Sequence, residues 1–347
     1  AVPVSRALAD LGAEYLAVSN LEEAVQIRRG EVRLPILILG YTPAEYAANM
    51  IFLDITQEVH SLEYARELNE ALAGTNYILN VHLKLDTGMT RIGFFAYDNE
   101  RTLDELRQVA QLPHLHIEGV FMHFCVADSR AEADVSFTKL QYKRFMDMLS
   151  AMAGVGIRPE IRHCCNSGAT ILYPEFALDM VRPGIITYGN APSDELEGAL
   201  SLRPMMSLHS MIAQVRTVPA GTDISYGRLY RTKEETRVAV LPIGYADGLS
   251  RLLTGKASFY LQGHQVPVIG RICMDMCMID VSGVPETKPG DVVTIFGYDD
   301  DGTLLPCERL ARAQGTINYE LLCQISKRIP RICHRGAETS QILQYIV

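Results

Sequence analysis

The sequence predicts an α/β barrel followed by a smaller all-β domain. In the first half of the 347 residues, short apolar runs alternate with amphipathic stretches, as is typical of parallel strands covered by helices. After about residue 203, short alternating runs are separated by turn sequences such as Pro289-Gly290. No Gly-rich GxGxxG turn supports an open, doubly wound sheet. We therefore expect a (β/α)8 barrel over residues 1–203 and a β domain over residues 204–347.

Seven strand candidates lie within the predicted barrel. They cover residues 14–18, 34–39, 51–55, 77–85, 117–123, 160–165 and 178–182. A barrel of this class needs eight strands, and the chain opens on a helix-like segment with Pro3 at an early helical position. The simplest interpretation is that the first strand lies upstream of Ala1, which makes the last two candidates the seventh and eighth strands. An open sheet is the alternative, because it needs no additional strand.

Amphipathic segments between these strands predict the helices. They cover residues 20–29, 60–73, 101–111 and 135–153, and Asn20 with Glu23 gives the first of them a capping-box pattern. In the second domain, strands are predicted at 208–218, 237–243, 257–261, 265–272, 276–281 and 291–297, before a helix near 306–313. This succession favours a β domain that follows the barrel in the chain.

Composition and charge exclude several classes of partner. The net charge is −9 and no cluster of Lys and Arg interrupts it, which argues against nucleic acid. No apolar run approaches the roughly 20 residues that cross a membrane, and no signal-like segment begins the chain, so we expect a cytoplasmic protein. The eight cysteines form no CxxC pair, which favours buried reduced thiols over a metal site or a disulfide framework.

Two loops at the predicted seventh and eighth strands favour a phosphate site. The first is "CCNSGAT", in which Asn166 and Ser167 precede a helix, and the second is "MVRPGIITYG", in which Gly184 lets a ligand approach the backbone. Asn-Ser-Gly alone is more often a helix cap. Loops after these two strands commonly bind phosphate in barrels of this class, so the pair favours a phosphate group.

Charged residues follow two other predicted strands at the same rim. "LKLDTGMTRIGF" carries Lys84, Asp86 and Arg91 on a short loop, and His123 ends the next strand. Active sites of barrel enzymes lie at this carboxyl rim. Arg91 can hold a carboxylate through two hydrogen bonds, although a solvated Arg is the commoner case. His123 is equally compatible with a structural role.

Three stretches of the β domain contain residues that are unusual for purely structural strands and loops. "ISYGRLY" places Tyr226 before a glycine in a polar loop, "GRICMDMCMID" places Asp275 within a Met-rich run that includes Met274, and "GTINYELL" presents Tyr319. Structural interpretations remain open for all of them, because Tyr226 can be a rim aromatic and Met274 a flexible packing residue.

Taken together, these motifs resemble one family over nearly the whole chain. They are "LDTGMTRIGF", "NSGAT", "VRPGIITYG", "ISYGR", "PIGYADGL", "GRICMDM" and "GTINYEL", in the order and approximate spacing of the alanine racemases. The resemblance implies an enzyme dependent on pyridoxal 5'-phosphate, with a TIM-type (β/α)8 barrel and a C-terminal β domain. The implied reaction interconverts L- and D-alanine and supplies D-alanine for cell-wall peptidoglycan. A serine racemase of the same family is the alternative substrate assignment.

The resemblance also implies roles for individual residues. The cofactor-binding residues are implied to be Asn166, Ser167, Gly184, Ile185 and Tyr319 around the phosphate, and Arg182 at the ring nitrogen. His123 is expected to link Arg182 to Tyr226. Arg91 is expected to face the substrate carboxylate. Lys84 matches a position that can be carbamylated in the family, with an ordinary Lys salt bridge as the alternative.

Racemisation needs two acid/base groups on opposite faces of the substrate. The resemblance assigns one role to Tyr226 and the other to the lysine that binds the cofactor. The family block that contains this lysine does not occur in the sequence, and in relatives it precedes "AVPV"-like residues. We therefore expect the lysine just ahead of Ala1. A non-catalytic pyridoxal-phosphate protein is the alternative if the lysine is absent.

The resemblance finally implies a homodimer with shared active sites. Tyr226, Met274 and Asp275 lie in the β domain, whereas the cofactor residues lie mainly in the barrel, and in the family the β-domain residues come from the partner subunit. Met274 and Tyr245 are expected to narrow the entrance and to favour an amino acid with a small side chain.

Overall fold

A computed structural model describes residues 1–97, 99–336 and 338–343 and divides the chain into two compact units. Unit 1 comprises Ala1–Thr187 and Ala191–Ser201. Unit 2 comprises Tyr188–Asn190 and the chain from Leu202 onward. Residues 344–347, at the end of the predicted β domain, lie outside the described residues.

Unit 1 alternates strands and helices. Its helices are α1 (Val2–Asp10), α2 (Leu21–Arg29), α3 (Ala47–Phe52), α4 (Leu62–Ala71), α5 (Asn99–Val109), α6 (Glu132–Gly154) and α7 (Ser167–Leu172). Its strands are β1 (Leu16–Val18), β2 (Ile36–Ile38), β3 (Ile55–Val59), β4 (Leu79–Asp86), β5 (Phe94–Phe95), β6 (Leu115–Phe121) and β7 (Ile161–His163).

The strands of unit 1 form one parallel sheet. Their order is β1-β2-β3-β4-β6-β7, with β5 beside β4, so successive strands are neighbours, as in a β/α barrel. An isolated parallel bridge joins His163 to Met180, within the segment predicted as the last strand. The apolar side chains of the sheet and of the surrounding helices form a single buried core. This arrangement brings the carboxyl ends of the parallel strands to one rim.

The predicted strand at 51–55 is wrong. Helix α3 continues to Phe52 and buries Ala47 and Met50, and β3 starts only at Ile55. Asp54, between the two elements, adopts a left-handed backbone conformation with φ 51°. A short apolar run fits a buried helix turn as well as a strand, so periodicity alone could not separate them.

Unit 2 is mainly antiparallel. Its strands are β8 (Leu208–Met211), β9 (Gln214–Val218), β10 (Asp223–Ile224), β11 (Tyr230–Arg231), β12 (Thr236–Leu241), β13 (Ser258–Leu261), β14 (His264–Ile269), β15 (Cys277–Asp280), β16 (Val292–Tyr298), β17 (Leu304–Leu305), β18 (Arg331–Arg335) and β19 (Glu338–Leu343). Its α-helices are α8 (Cys307–Gln314) and α9 (Asn318–Gln324).

An eight-stranded sheet forms the centre of unit 2. Its order is β17-β16-β13-β14-β15-β12-β9, with β8 paired to β16. The pairs β10-β11 and β18-β19 are separate hairpins. The buried side chains of the large sheet form the second core of the molecule with α8 and α9. Short 3-10 turns at Tyr226–Arg228 and Tyr245–Asp247 leave this scaffold and carry two of the predicted site residues.

Two further features of the structure concern membrane-spanning helices and the state of the cysteines. Among the described residues, none of the helices combines the length and the apolar character that crossing a bilayer requires. Four of the eight cysteines (Cys164, Cys165, Cys277 and Cys307) are buried free thiols, whereas Cys125 and Cys323 are exposed. The expectation of buried thiols therefore holds for half of the cysteines.

Candidate active site

Three side chains lie side by side at the carboxyl rim of the parallel sheet. The strand register pairs Lys84 with Phe121 and Phe121 with His163. The Phe121 ring stacks on the His163 imidazole at 4.9 Å between centroids. The Nζ atom of Lys84 lies 5.5 Å from the centre of the same ring, within the range of a cation–π contact. Phe121 thus provides an aromatic platform between two ionisable side chains.

Lys84 is buried, and its amine is only partly protonated at neutral pH. Its Nζ donates to the carbonyl of Leu85 at 2.8 Å, and only 4% of the residue is exposed. Burial, followed by the positive charge of Arg182, lowers the pKa of Lys84 to about 7. The neighbouring carboxylate of Asp86 opposes this effect only in part. A substantial fraction of the amine is therefore unprotonated, which is the nucleophilic form.

The loop that follows Lys84 is organised by one carboxylate oxygen. Oδ1 of Asp86 accepts hydrogen bonds from the amides of Gly88, Met89 and Thr90, each at 3.0 Å. Arg91 comes next and is exposed. Its charge contributes to lowering the pKa of Lys84, so the two groups share one electrostatic environment.

Arg182 is held by three acceptors. Nη1 lies 2.5 Å from Nδ1 of His163, and Nη2 donates to the carbonyls of Met122 at 2.8 Å and Cys164 at 3.1 Å. Removal from water lowers the pKa of Arg182 to about 10, so the guanidinium stays charged at neutral pH. A guanidinium has five N–H donors, and these bonds engage three. The imidazole bonded to Arg182 is that of His163, and the predicted bond between Arg182 and His123 is wrong.

His123 nevertheless belongs to the same group of side chains. It is half-buried, and burial, followed by the charge of Arg182, lowers its pKa to about 3. Arg91 and Lys84 lower it further. The structure thus brings Lys84, Arg91, His123 and Arg182 together and keeps the His123 imidazole neutral.

The two loops predicted to bind phosphate meet at Ser167. The Ser167 hydroxyl is buried and accepts a hydrogen bond from the Gly184 amide at 2.8 Å. Asn166 precedes it, accepts from the Ala169 amide at 3.0 Å and donates to the Phe124 carbonyl at 3.1 Å. Ile185 begins the following 3-10 turn and is buried. Four of the predicted cofactor residues therefore occupy adjoining turns.

In unit 2, Tyr226 projects from an unusual turn. Ser225, Gly227 and Arg228 have φ angles of 67°, 71° and 53°, and 70% of Tyr226 is exposed. The Ser225 hydroxyl donates to the carbonyl of Arg271 at 2.7 Å, which ties the turn to the 270–276 loop. Non-glycine residues with positive φ are uncommon and cluster at functional sites.

Tyr245, Met274 and Asp275 are joined by a second set of contacts in unit 2. The amide of Tyr245 donates to the Cys273 carbonyl at 3.1 Å. Arg328 bridges Asp247 and Asp275, at 2.6 Å from each carboxylate, and both carboxylates raise its pKa. Met274 is 54% exposed and Tyr245 is 43% exposed. Two large side chains with apolar surface are thus held at the surface beside the turn of Tyr226.

Tyr319 lies in the first turn of α9, with 36% of its surface exposed. It belongs to unit 2, as do Tyr226, Tyr245, Met274 and Asp275. The remaining predicted site residues belong to unit 1. Among the described residues, no group of three or more His, Cys, Asp or Glu side chains is placed to hold a metal ion.

Comparison with known proteins identifies the family. The model of the alanine racemase N-terminal domain matches residues 1–192, and that of the alanine racemase C-terminal domain matches residues 205–333. The chain belongs to the alanine racemase family. It is 46% identical to the alanine racemase of Desulfovibrio desulfuricans over 96% of this chain and 87% of that protein. It is 41% identical to the alanine racemase of Clostridium tetani over 100% of this chain and 88% of that protein.

Solved alanine racemases share the fold. The enzyme of Clostridium difficile 630 matches with a TM-score of 0.92 and 38% identity, over 100% of this chain and 88% of that one. The Bacillus anthracis enzyme, solved with bound L-Ala-P, matches with a TM-score of 0.92 and 35% identity, over 99% of this chain and 87% of that one. The predicted family and the fold of a β/α barrel with a C-terminal β domain are therefore confirmed.

Two residues at the rim were not predicted from the sequence. Phe121 and His163 received no role, although they support Lys84 and Arg182. The parallel alignment of "GVFMHF" and "EIRHCC" could have indicated their proximity, because in-register residues of neighbouring strands project to the same face.

Proposed function

We propose that this chain interconverts L- and D-alanine with pyridoxal 5'-phosphate as cofactor. The observation that carries the proposal is the position of Arg182, which is a cation at neutral pH, is held by three acceptors and lies beside Lys84, Arg91 and His123. Similarity to alanine racemases over 96–100% of the chain supports the same assignment.

The residues present fit the cofactor. The Ser167 hydroxyl accepts from the Gly184 amide at 2.8 Å, and its own O–H group can donate to a phosphate oxygen. Asn166, Ser167, Gly184, Ile185 and Tyr319 would hold the phosphate, and Arg182 would face the ring nitrogen. When bound, pyridoxal phosphate supplies the electron sink that stabilises negative charge at the substrate Cα.

Arg182 explains why racemisation is favoured over other reactions of this cofactor. A guanidinium only donates hydrogen bonds and, with a pKa of about 10, keeps its proton at neutral pH. Beside the bound cofactor, it would leave the ring nitrogen largely unprotonated and would limit the delocalisation of charge. A weaker electron sink limits side reactions such as transamination, while it still permits proton exchange at Cα.

We assign the proton transfer on one face to Tyr226. Tyr226 has an exposed side chain on a turn that the hydrogen bond from Ser225 to Arg271 fixes, so the backbone that carries it is ordered before substrate arrives. The complementary group, a lysine according to the resemblance, is not assigned to a residue of this chain.

Arg91 and Lys84 would provide the substrate side of the site. Arg91 is exposed on an ordered loop and can bind the substrate carboxylate through two hydrogen bonds. The neutral amine of Lys84 can add to carbon dioxide, with the release of one proton, to form a carbamate anion among its cationic neighbours. An uncarbamylated Lys84 is the alternative.

A homodimer with shared sites completes the proposal. The exposed side chains of Tyr226, Tyr245 and Met274 give unit 2 a surface with apolar character. A second copy of the chain could bind to this surface. Met274 and Tyr245 would limit the substrate side chain and favour alanine. Buried free thiols such as Cys164 and Cys277 suit a reducing compartment, so we place the reaction in the cytoplasm, where D-alanine would feed peptidoglycan synthesis.

The experiment uses the protein encoded by the full reading frame, with pyridoxal phosphate added. Racemisation of L-alanine and L-serine is followed by circular dichroism, and the oligomeric state by sedimentation. We expect alanine turnover by a dimer, and a loss of about 10²-fold or more in Tyr226→Phe. Tyr230→Phe, in the adjoining strand β11, is the matched control and should keep full activity.

Three results would contradict the proposal in separate ways. A protein without turnover on either amino acid would refute the reaction. Faster turnover of serine would refute the substrate, and an active monomer would refute the shared site.

A further inference from the structure

A chain of hydrogen bonds leads from Arg182 into the interior of unit 1. Beyond the bond between Arg182 and His163, Nε2 of His163 lies 2.8 Å from Nδ1 of His82. Nε2 of His82 lies 3.1 Å from Oε2 of Glu118. Both imidazoles are completely buried. The proposed function assigns no role to His82 or Glu118.

The two ends of this chain fix the position of every proton. A guanidinium can only donate, so the bond to Arg182 forms only when Nδ1 of His163 accepts and the imidazole proton is on Nε2. That Nε2–H donates to Nδ1 of His82, whose own proton is therefore on Nε2. The Nε2–H of His82 donates to Glu118, and an ionised carboxylate can only accept. Donor and acceptor thus match at all three bonds in a single arrangement of tautomers.

The local backbone geometry makes room for this chain of hydrogen bonds. The register between β4 and β6 shifts so that Val81 pairs with Ile117 and His82 pairs with Gly119, which leaves Glu118 as the extra residue of a bulge. A bulge redirects a side chain, and such features often lie beside active sites. A Cβ atom at Gly119 would stand 2.5 Å from the His82 ring, so only glycine leaves room for the imidazole.

Other groups keep Glu118 ionised. The hydroxyls of Tyr15 and Thr56 lie 3.0 Å and 3.1 Å from the same Oε2 atom. Hydrogen bonding from His82, together with these hydroxyls, lowers the pKa of Glu118 below its usual range. Burial, followed by the charge of Arg182, lowers the pKa of His163 well below its usual value and keeps that ring neutral.

We propose that His82 and Glu118 are positioning residues that hold His163 as its Nε2–H tautomer and thereby orient Arg182 toward the cofactor ring. The other tautomer of His163 would present an N–H to the guanidinium and break the bond between them. For the contact of Arg182 with the cofactor, this inference rests on the proposed function.

The test compares two substitutions of equal shape, His82→Asn and His82→Leu. The Asn amide oxygen lies near the position of Nδ1 and can accept from His163, whereas Leu offers no acceptor. In histidine-labelled protein without cofactor, ¹⁵N spectra report the tautomer of His163, assigned with a His163→Gln variant. We expect the Nε2–H form in the wild-type protein and in His82→Asn, and a mixture of tautomers in His82→Leu.

Cofactor affinity provides the second measurement. The dissociation constant of pyridoxal phosphate should rise by about tenfold in His82→Leu and much less in His82→Asn, since partners that orient a ligand-binding group commonly contribute this much. His116→Leu, at an exposed position of β6, is the surface control and should match the wild-type protein.

The outcomes separate the inference from the proposed function. Identical tautomers and affinities in the two His82 variants would overturn the inference. If no variant binds the cofactor but the tautomer changes as expected, the positioning role stands and the proposed function fails. If His82→Leu does not fold, Glu118→Gln against Glu118→Met gives the same comparison, because only Gln keeps an acceptor for His82.

Discussion

Replacement of Lys84 by Met should change how the stability of the protein depends on pH. The fall of the Lys84 pKa from 10.5 to about 7 corresponds, at about 1.36 kcal/mol per pH unit, to about 5 kcal/mol against the charged form in the folded state. Between pH 7 and 10.5 the unfolded chain holds a proton that the folded chain has released, so stability rises with pH. Between pH 6 and pH 9 the wild-type protein should gain about 3 kcal/mol relative to Lys84→Met.

The assay is urea unfolding followed by circular dichroism at several pH values, in buffers free of carbon dioxide. Lys139→Met, at an exposed position of α6, is the control and should follow the wild-type curve. A difference between wild type and Lys84→Met that stays constant across this pH range would refute the reasoning. Added bicarbonate should stabilise the wild-type protein alone if Lys84 forms a carbamate.

Two further substitutions test the turns around the site. Gly244→Ala would place a Cβ atom 2.3 Å from the backbone oxygen of Cys273, so we expect a loss of about 3 kcal/mol in the free energy of unfolding, measured with urea. Gly283→Ala, where nothing lies within 4 Å, should be nearly neutral, and equal losses in both would contradict the argument. Ser167→Ala removes the hydroxyl bonded to Gly184, and the dissociation constant of pyridoxal phosphate, measured by its absorbance, should rise by about tenfold. Recovery is expected in Ser167→Thr, and unchanged affinity in Ser167→Ala would exclude a contact with the phosphate.

Much of the fold could be predicted because helix and strand periodicities differ clearly in most segments of this chain, residues 51–55 being an exception. The helix predicted at 20–29 is α2, with Asn20 accepting from the Glu23 amide as a cap. The hairpin of β18 and β19 was not predicted, since Ile332 and Ile342 remain largely exposed and give no pattern of one buried face.

Site residues could be predicted only where they lie in sequence motifs that the chain shares with the alanine racemase family. Arg182, Ser167 and Tyr226 lie within contiguous blocks and were predicted as site residues in this way. The partners of Arg182 come from separate strands, and Glu118 reaches His82 only through a bulge, which periodicity cannot reveal. Buried ionisable residues in otherwise apolar strands were the available signal, because such groups are rarely left without partners.

The three amides bonded to Asp86 also affect how strongly a ligand can bind. A loop that orders itself only around a ligand loses conformational entropy at that moment, and affinity falls accordingly. Here the backbone before Arg91 is already closed on the Asp86 oxygen, so the ordering of residues 88–90 belongs to the folding of the chain. A small amino acid offers few contacts to offset such a loss. Because Asp86 already orders this loop in the folded protein, ligand binding does not include the loss of that conformational entropy. Each ligand molecule therefore binds more tightly than it would to a disordered loop.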